Sequence, residues 1–144
     1  MSTRLNIQQQ APDSFSAMLN LEASLADSII PDPLRALIKL RASEINNCRY
    51  CLTMHKPYAR QHGFSDEKIA AVAAWRTSQL FDTTEQALLA LTDEITQIHL
   101  KGVKTTTYLD ALEQLGEPLL ASCIMQISVI NTWNRIAIAT AMEH

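Results

Sequence analysis

The stretch LIKLRASEINNCRYCLTMHKPYARQHG, residues 37–63, holds two helical patterns with a break between them at Asn46-Asn47. Apolar and small residues recur before the break at helical spacing. After it, Cys48, Cys51 and His55 are separated by three and four residues, so one helix would carry all three on a single face. Asn46-Asn47 is read as ending the first helix and capping the second. Cys48 then falls in a first turn, where unpaired backbone N–H groups and the helix dipole favour a thiolate. His55, one turn beyond Cys51, can accept that cysteine's proton or stabilise its anion. The second helix stops at Gly63, after Arg60-Gln61-His62, where a left-handed backbone and basic side chains suit a helix C-terminus.

The same punctuation runs outward through the chain. Gly102 follows Lys101 and Gly116 follows Leu115, each at an expected helix end. Ser65-Asp66-Glu67 supplies a cap and two acids for a first turn, and Thr83-x-x-Gln86 has the form of a capping box. Glu117-Pro118 opens the last helix with proline near its first position. Leu88, Leu91, Ile95 and Ile98 keep the 3.6-residue period of a half-buried helix, and strict strand-like alternation is missing. The spacing predicts helices at 14–29, 33–46, 48–62, 66–77, 84–100, 105–115 and 118–141. The expected fold is all-α, a compact multi-helix bundle forming one domain over residues 1–144.

Charge and composition narrow the function classes. A net charge of −3 with no concentrated Lys/Arg cluster gives no footprint for nucleic acid. Leu119–Met142 is apolar, yet it contains Gln126, Asn131, Asn134 and Arg135, each costly in hydrocarbon, so a packed helix is expected and no membrane partner. MSTRLNIQQQAP lacks the apolar core of a secretory signal, so a cytoplasmic, reducing location is expected. Three cysteines in that setting are not a disulfide framework; a Cys-x-x-Cys there points to catalysis or metal binding.

Spacing leaves three readings of the cysteine–histidine face open. One is thiol–disulfide exchange: a thiolate attacks a peroxide or disulfide, and the neighbouring thiol resolves the product. Another is zinc, which needs a fourth ligand beyond Cys48, Cys51 and His55, with His62, His99 or Cys123 as candidates. The third is a pair of core thiols beside a satisfied histidine. A c-type haem is excluded because Leu52, not histidine, follows the second cysteine.

Residues 37–63, together with AAWRTSQLFDTTEQALLALTDEIT at 73–96 and VINTWNRIAIA at 129–139, resemble the alkylhydroperoxidase D (AhpD)-like group of the carboxymuconolactone decarboxylase family. The resemblance spans roughly residues 15–140. It implies an all-helical fold assembling as a dimer, trimer or hexamer, and a cysteine-dependent peroxidase or disulfide reductase without metal or organic cofactor. Its partners would be a hydroperoxide and a dithiol reductant, lipoyl- or thioredoxin-like. By the same resemblance Cys51 attacks peroxide, Cys48 resolves it to a Cys48–Cys51 disulfide, and His55 relays protons. Decarboxylation or lactone processing, as in the wider family, is the alternative enzyme class; a redox-sensing or zinc-binding module is the non-enzymatic one.

Three departures from the family pattern set further expectations. Ala36 stands where relatives carry a glutamate twelve residues before the first cysteine. Glu44 is the nearest carboxylate, spaced 4, 3 and 4 with Cys48, Cys51 and His55, and is taken as its replacement. Tyr50 stands where some relatives have histidine, and Pro57, with no N–H, is expected to kink the helix just past His55 or to start a fresh turn there. Elsewhere, Cys123 is read as a core thiol, His62 as structural and His99 as a surface residue, with His144 terminal. Asp93-Glu94 is read as a solvated face. Asn131, Trp133, Asn134 and Arg135 are read as a helix-packing network or an oligomer contact.

Overall fold

The computed structural model describes residues 4–143, so His144 lies outside it. Among the described residues there is no strand. The described residues form nine α-helices: α1 (Ile7–Gln10), α2 (Pro12–Ala26), α3 (Asp32–Ile45), α4 (Arg49–Gln61), α5 (Asp66–Ala71), α6 (Thr83–Thr96), α7 (Ile98–Lys101), α8 (Thr105–Leu115) and α9 (Glu117–Ala139). A 3₁₀ segment, Val72–Thr77, extends α5.

Helix α3 is the hub because its short and branched apolar residues cover most of its circumference. Ala36, Leu37, Ile38 and Ala42 are wholly inaccessible to solvent. Around it pack α4, α6 and α9. Leu88, Leu89 and Leu91 of α6 and Leu120, Cys123, Ile127 and Ile130 of α9 complete the core. A helix buried on several sides reads as apolar all round, which is why α9 resembled a membrane segment. No helix among the described residues is long and apolar enough to cross a membrane.

Several expected boundaries move, each for an identifiable reason. The first long helix begins earlier, with Pro12 at its first position, where the missing N–H costs nothing. It stops at Ala26 because the buried Arg35 guanidinium donates to the carbonyls of Leu25 at 2.8 Å and Ile30 at 3.1 Å, tying down the loop to α3. The expected helix 66–77 becomes 3₁₀ in its second half. There Arg41 donates to the carbonyls of Val72 and Ala73, competing with the acceptors an α-helix would use. The expected helix 84–100 divides at Gln97 into α6 and α7.

The capping box is one residue earlier than the Thr83/Gln86 reading. Asp82 accepts from the Glu85 amide at 2.8 Å, and Glu85 accepts from the Asp82 amide at 3.0 Å. Aspartate outranks threonine as a cap, and Glu85 also meets Lys68 at 2.7 Å. Gly102 (φ 66°, ψ −152°) and Gly116 (φ 77°, ψ 161°) hold a backbone region open essentially to glycine alone.

Asn131 and Asn134 of α9 form a network that locks the helix to its neighbours. Asn46 Nδ2 donates to Asn131 Oδ1 and Asn134 Oδ1, both at 2.9 Å. Asn134 donates to Ser43 Oγ and Asn131 to Thr96 Oγ1, each at 3.0 Å. Arg135 adds a 2.9 Å bond to Asn131 Oδ1. These groups secure the end of α3 from which the next helix starts.

Candidate active site

The turn between α3 and α4 sets the cysteines. Asn47 adopts φ 53°, a left-handed conformation that asparagine tolerates better than most residues. With it in place, the Cys48 amide donates to the Ser43 carbonyl at 2.9 Å, closing α3 in a Schellman-like turn. Cys48 is thereby the N-cap of α4, one step before the first turn, and its Sγ accepts from the Cys51 amide at 3.3 Å. Cys48 and Cys51 are joined in a disulfide with their Cα atoms 5.3 Å apart, inside the usual range. Both are buried, packed with Ala137 and flanked by Tyr50 and Met142.

A cavity of 290 Å³ opens beside them, and Cys51, but not Cys48, is among its described lining residues. Its walls are mainly apolar, with Phe15 of α2 meeting Trp133 of α9 edge to face at 5.5 Å between ring centroids. His55, Glu22 and Lys39 are its charged or titratable members besides Tyr50. Lys39 Nζ pairs with Glu22 Oε1 at 2.6 Å, while Glu22 Oε2 is buried with no hydrogen-bond partner. Burial, reinforced by the Lys39 cation and partly opposed by the Glu22 carboxylate, lowers the His55 pKa to about 4. Its imidazole is therefore neutral at pH 7 in the disulfide form.

The expected face of α4 is thus assembled for Cys48, Cys51 and His55, but Glu44 stands elsewhere. It occupies the last turn of α3, half-buried, and is not among the described lining residues of the cavity. Ala36 is sealed in the core. The carboxylate that does face the cavity, Glu22, comes from α2, far outside the cysteine motif. Its signal in the sequence was an acid on the apolar stripe of Phe15, Leu19 and Leu25, at helical spacing from each. Lys39, set among Leu37, Ile38 and Leu40, had the same kind of signal.

Helix α4 continues through Pro57 to Gln61, so the proline does not end the helix or start a new one. Cys123 is a fully buried free thiol whose pKa burial pushes up to about 12. His62 caps the end of α4 and lies edge-on to Tyr58, at 4.3 Å between ring centroids; His99 is exposed on α7. Trp133 belongs to the cavity wall rather than the asparagine network. The solvated-face reading of Asp93-Glu94 is overturned. Asp93 accepts from Arg41 at 2.6 Å and Trp75 at 3.1 Å, and Glu94 accepts from the Lys104 amide at 2.8 Å and Thr107 at 2.6 Å. Among the described residues no group of three or more His, Cys, Asp or Glu side chains is arranged to hold a metal ion.

Fold and site together define an all-helical protein with a Cys-x-x-Cys disulfide at a helix N-terminus, beside an apolar cavity that also holds a histidine. Residues 12–94, more than half of the sequence, match the carboxymuconolactone decarboxylase family, and the chain belongs to that family. It is 34% identical over 139 residues to the uncharacterized protein YdfG of Bacillus subtilis (strain 168), covering 96% of this chain and 95% of that one. It is also similar to the crystal structure of ATU0492 from Agrobacterium tumefaciens, a protein of unknown function suggested to be the antioxidant defence protein AhpD. That likeness has TM-score 0.95 and 33% identity, covering 99% of this chain and 97% of the other. The debrominase Bmp8 shares the fold at TM-score 0.78 and 19% identity, covering 94% of this chain and 73% of that structure.

Proposed function

We propose that this protein is an AhpD-like thiol-dependent peroxidase or disulfide oxidoreductase that works through the Cys48/Cys51 pair. The observation that carries the reading is the position of Cys51. It is joined to a second cysteine at a helix N-terminus and shares one apolar cavity with a neutral histidine. In the reduced protein, Cys51 would lose its proton toward His55. The thiolate then attacks the terminal oxygen of a hydroperoxide, the O–O bond breaks, and the alkoxide leaves as an alcohol after taking a proton. Cys51 becomes a sulfenic acid. The Cys48 thiolate, favoured at the N-cap by the α4 dipole, attacks that sulfur and displaces hydroxide, which leaves as water with the proton that the Cys48 thiol gave up, and the disulfide forms. A dithiol returns two electrons and two protons, oxidising itself to a disulfide.

Glu22 is assigned the acid's part that the sequence offered to Glu44, because it shares the cavity with His55. Its carboxylate offsets the influence of Lys39 on the imidazole and keeps an open acceptor, Oε2, for a proton or a donor group. With a thiolate on Cys51, the histidine's proton affinity rises above its value in the disulfide form.

The exposed apolar side chains Leu19 and Met54 at the cavity, with Ile98, Leu100 and Leu109 elsewhere, support self-association, which light scattering would size. A reducing, cytoplasmic setting suits a disulfide that must be reopened in each cycle.

The deciding experiment mixes the reduced protein rapidly with an organic hydroperoxide, then traps thiols and reads masses. Wild type should form the Cys48–Cys51 disulfide with release of one alcohol per peroxide. Unchanged thiols after excess peroxide would remove the peroxidase reading.

A further inference from the structure

The disulfide is covered by a segment that follows α9. From the end of that helix the chain turns back on itself: the Thr140 amide bonds the Ile136 carbonyl at 3.1 Å and the Met142 amide bonds the Ala137 carbonyl at 2.9 Å. That turn lays Met142 against Cys48, Cys51 and Ala137, where it also lines the 290 Å³ cavity. Cys48 and Cys51 keep only 2% and 4% of their accessible surface.

Two features show how this cover is held and how it could lift. Arg4 reaches across from before α1 and donates to the carbonyls of Ala139 at 3.0 Å and Ile138 at 3.3 Å, a cation on the negative end of the α9 dipole. The turn itself requires Ala141 at φ 51°, a conformation that a Cβ disfavours and that glycine usually supplies at this position. Arg4 thus fixes the last turn of α9, from which the covering segment springs, while Ala141 weakens the turn from within. Residues 4–8 and 140–143 also border a second cavity of 370 Å³, which gives the segment room to move.

We infer that residues 140–143, rooted in the last turn of α9 that Arg4 holds, form a strap over the Cys48–Cys51 disulfide that must lift before a dithiol reaches the sulfurs. The step it controls is thiol–disulfide exchange. A dithiol's thiolate attacks one sulfur to give a mixed disulfide, and its second thiolate displaces the remaining cysteine. Two electrons and two protons pass to Cys48 and Cys51, and the dithiol is oxidised. The strap concerns access to the disulfide, whatever the thiols act on.

The test follows reduction of the disulfide in the full chain by excess dithiothreitol, quenched by alkylation and read by intact mass. Arg4→Ala and Met142→Ala should be reduced about fivefold faster than wild type, because each shifts the population toward the open state. Ala141→Gly, which eases the left-handed turn, should be reduced about twofold more slowly. Circular dichroism reports that each variant retains its helices. Equal rates in all four proteins overturn the strap. So does faster reduction in Ala141→Gly, since general loosening, not latching, would then govern access.

Discussion

Glu22 and Lys39, from α2 and α3, close a 2.6 Å ion pair on the wall of the cavity that also holds His55 and Cys51. A charged pair on a mainly apolar wall is costly unless its members are matched, and here one carboxylate oxygen remains without a partner. Under the proposed chemistry that oxygen serves proton transfer. Glu22→Gln should lower kcat/KM for an organic hydroperoxide about a hundredfold and alter its pH profile, whereas Glu44→Gln should stay within about twofold. Steady-state turnover across pH with both variants checks this. Equal losses would return the role to Glu44.

The division of labour between the cysteines has its own signature. After peroxide treatment, Cys48→Ser should retain a sulfenic acid on Cys51, captured by a dimedone-type probe and located by peptide mass spectrometry. Cys51→Ser should leave Cys48 unoxidised on the same timescale. Oxidation of Cys48 in the second variant would reverse the assignment.

His55 couples the site to stability. Its folded pKa, about 4, lies below the ordinary value of 6.5, so the unfolded chain binds more protons between those pH values. Stability should therefore rise with pH through that window and level off above it. His55 contributes at most about 3 kcal/mol to the rise, less to the extent that solvent reaches the ring. Urea melts at pH 4.5 and pH 7 should show a smaller pH effect in His55→Gln than in wild type, both in the disulfide form.

The register of the α6 cap can be checked directly. Asp82→Ala removes the bond to the Glu85 amide and should cost about 1 kcal/mol, while Thr83→Ala should change stability by less than about 0.5 kcal/mol. Thermal melting separates the two.

The asparagine network predicts a larger effect. Asn134→Ala strips a partner from the half-buried Asn46 and another from the fully buried Ser43, so a loss of about 2 kcal/mol is expected by chemical denaturation. Thr132→Ala, on the exposed face of the same helix, should be near neutral.

Local rules were enough to read the helices and the face bearing Cys48, Cys51 and His55. Helical periodicity, glycine stops and the Asn46-Asn47 break act within a few residues, and their effects survive packing. They failed where a distant side chain competes for backbone groups: Arg41 with the 3₁₀ segment, Arg35 at the end of α2. The 4, 3, 4 spacing put Glu44 on the cysteines' face only for a helix unbroken through Asn46-Asn47, and the structure ends α3 there. Only the packing of α2 on α9, and of α9 on α3 and α4, brings Glu22, Trp133 and Met142 together with Lys39 around the cavity beside the cysteines. That choice rests on the burial of apolar surface summed over four helices, a quantity no short stretch of chain carries alone.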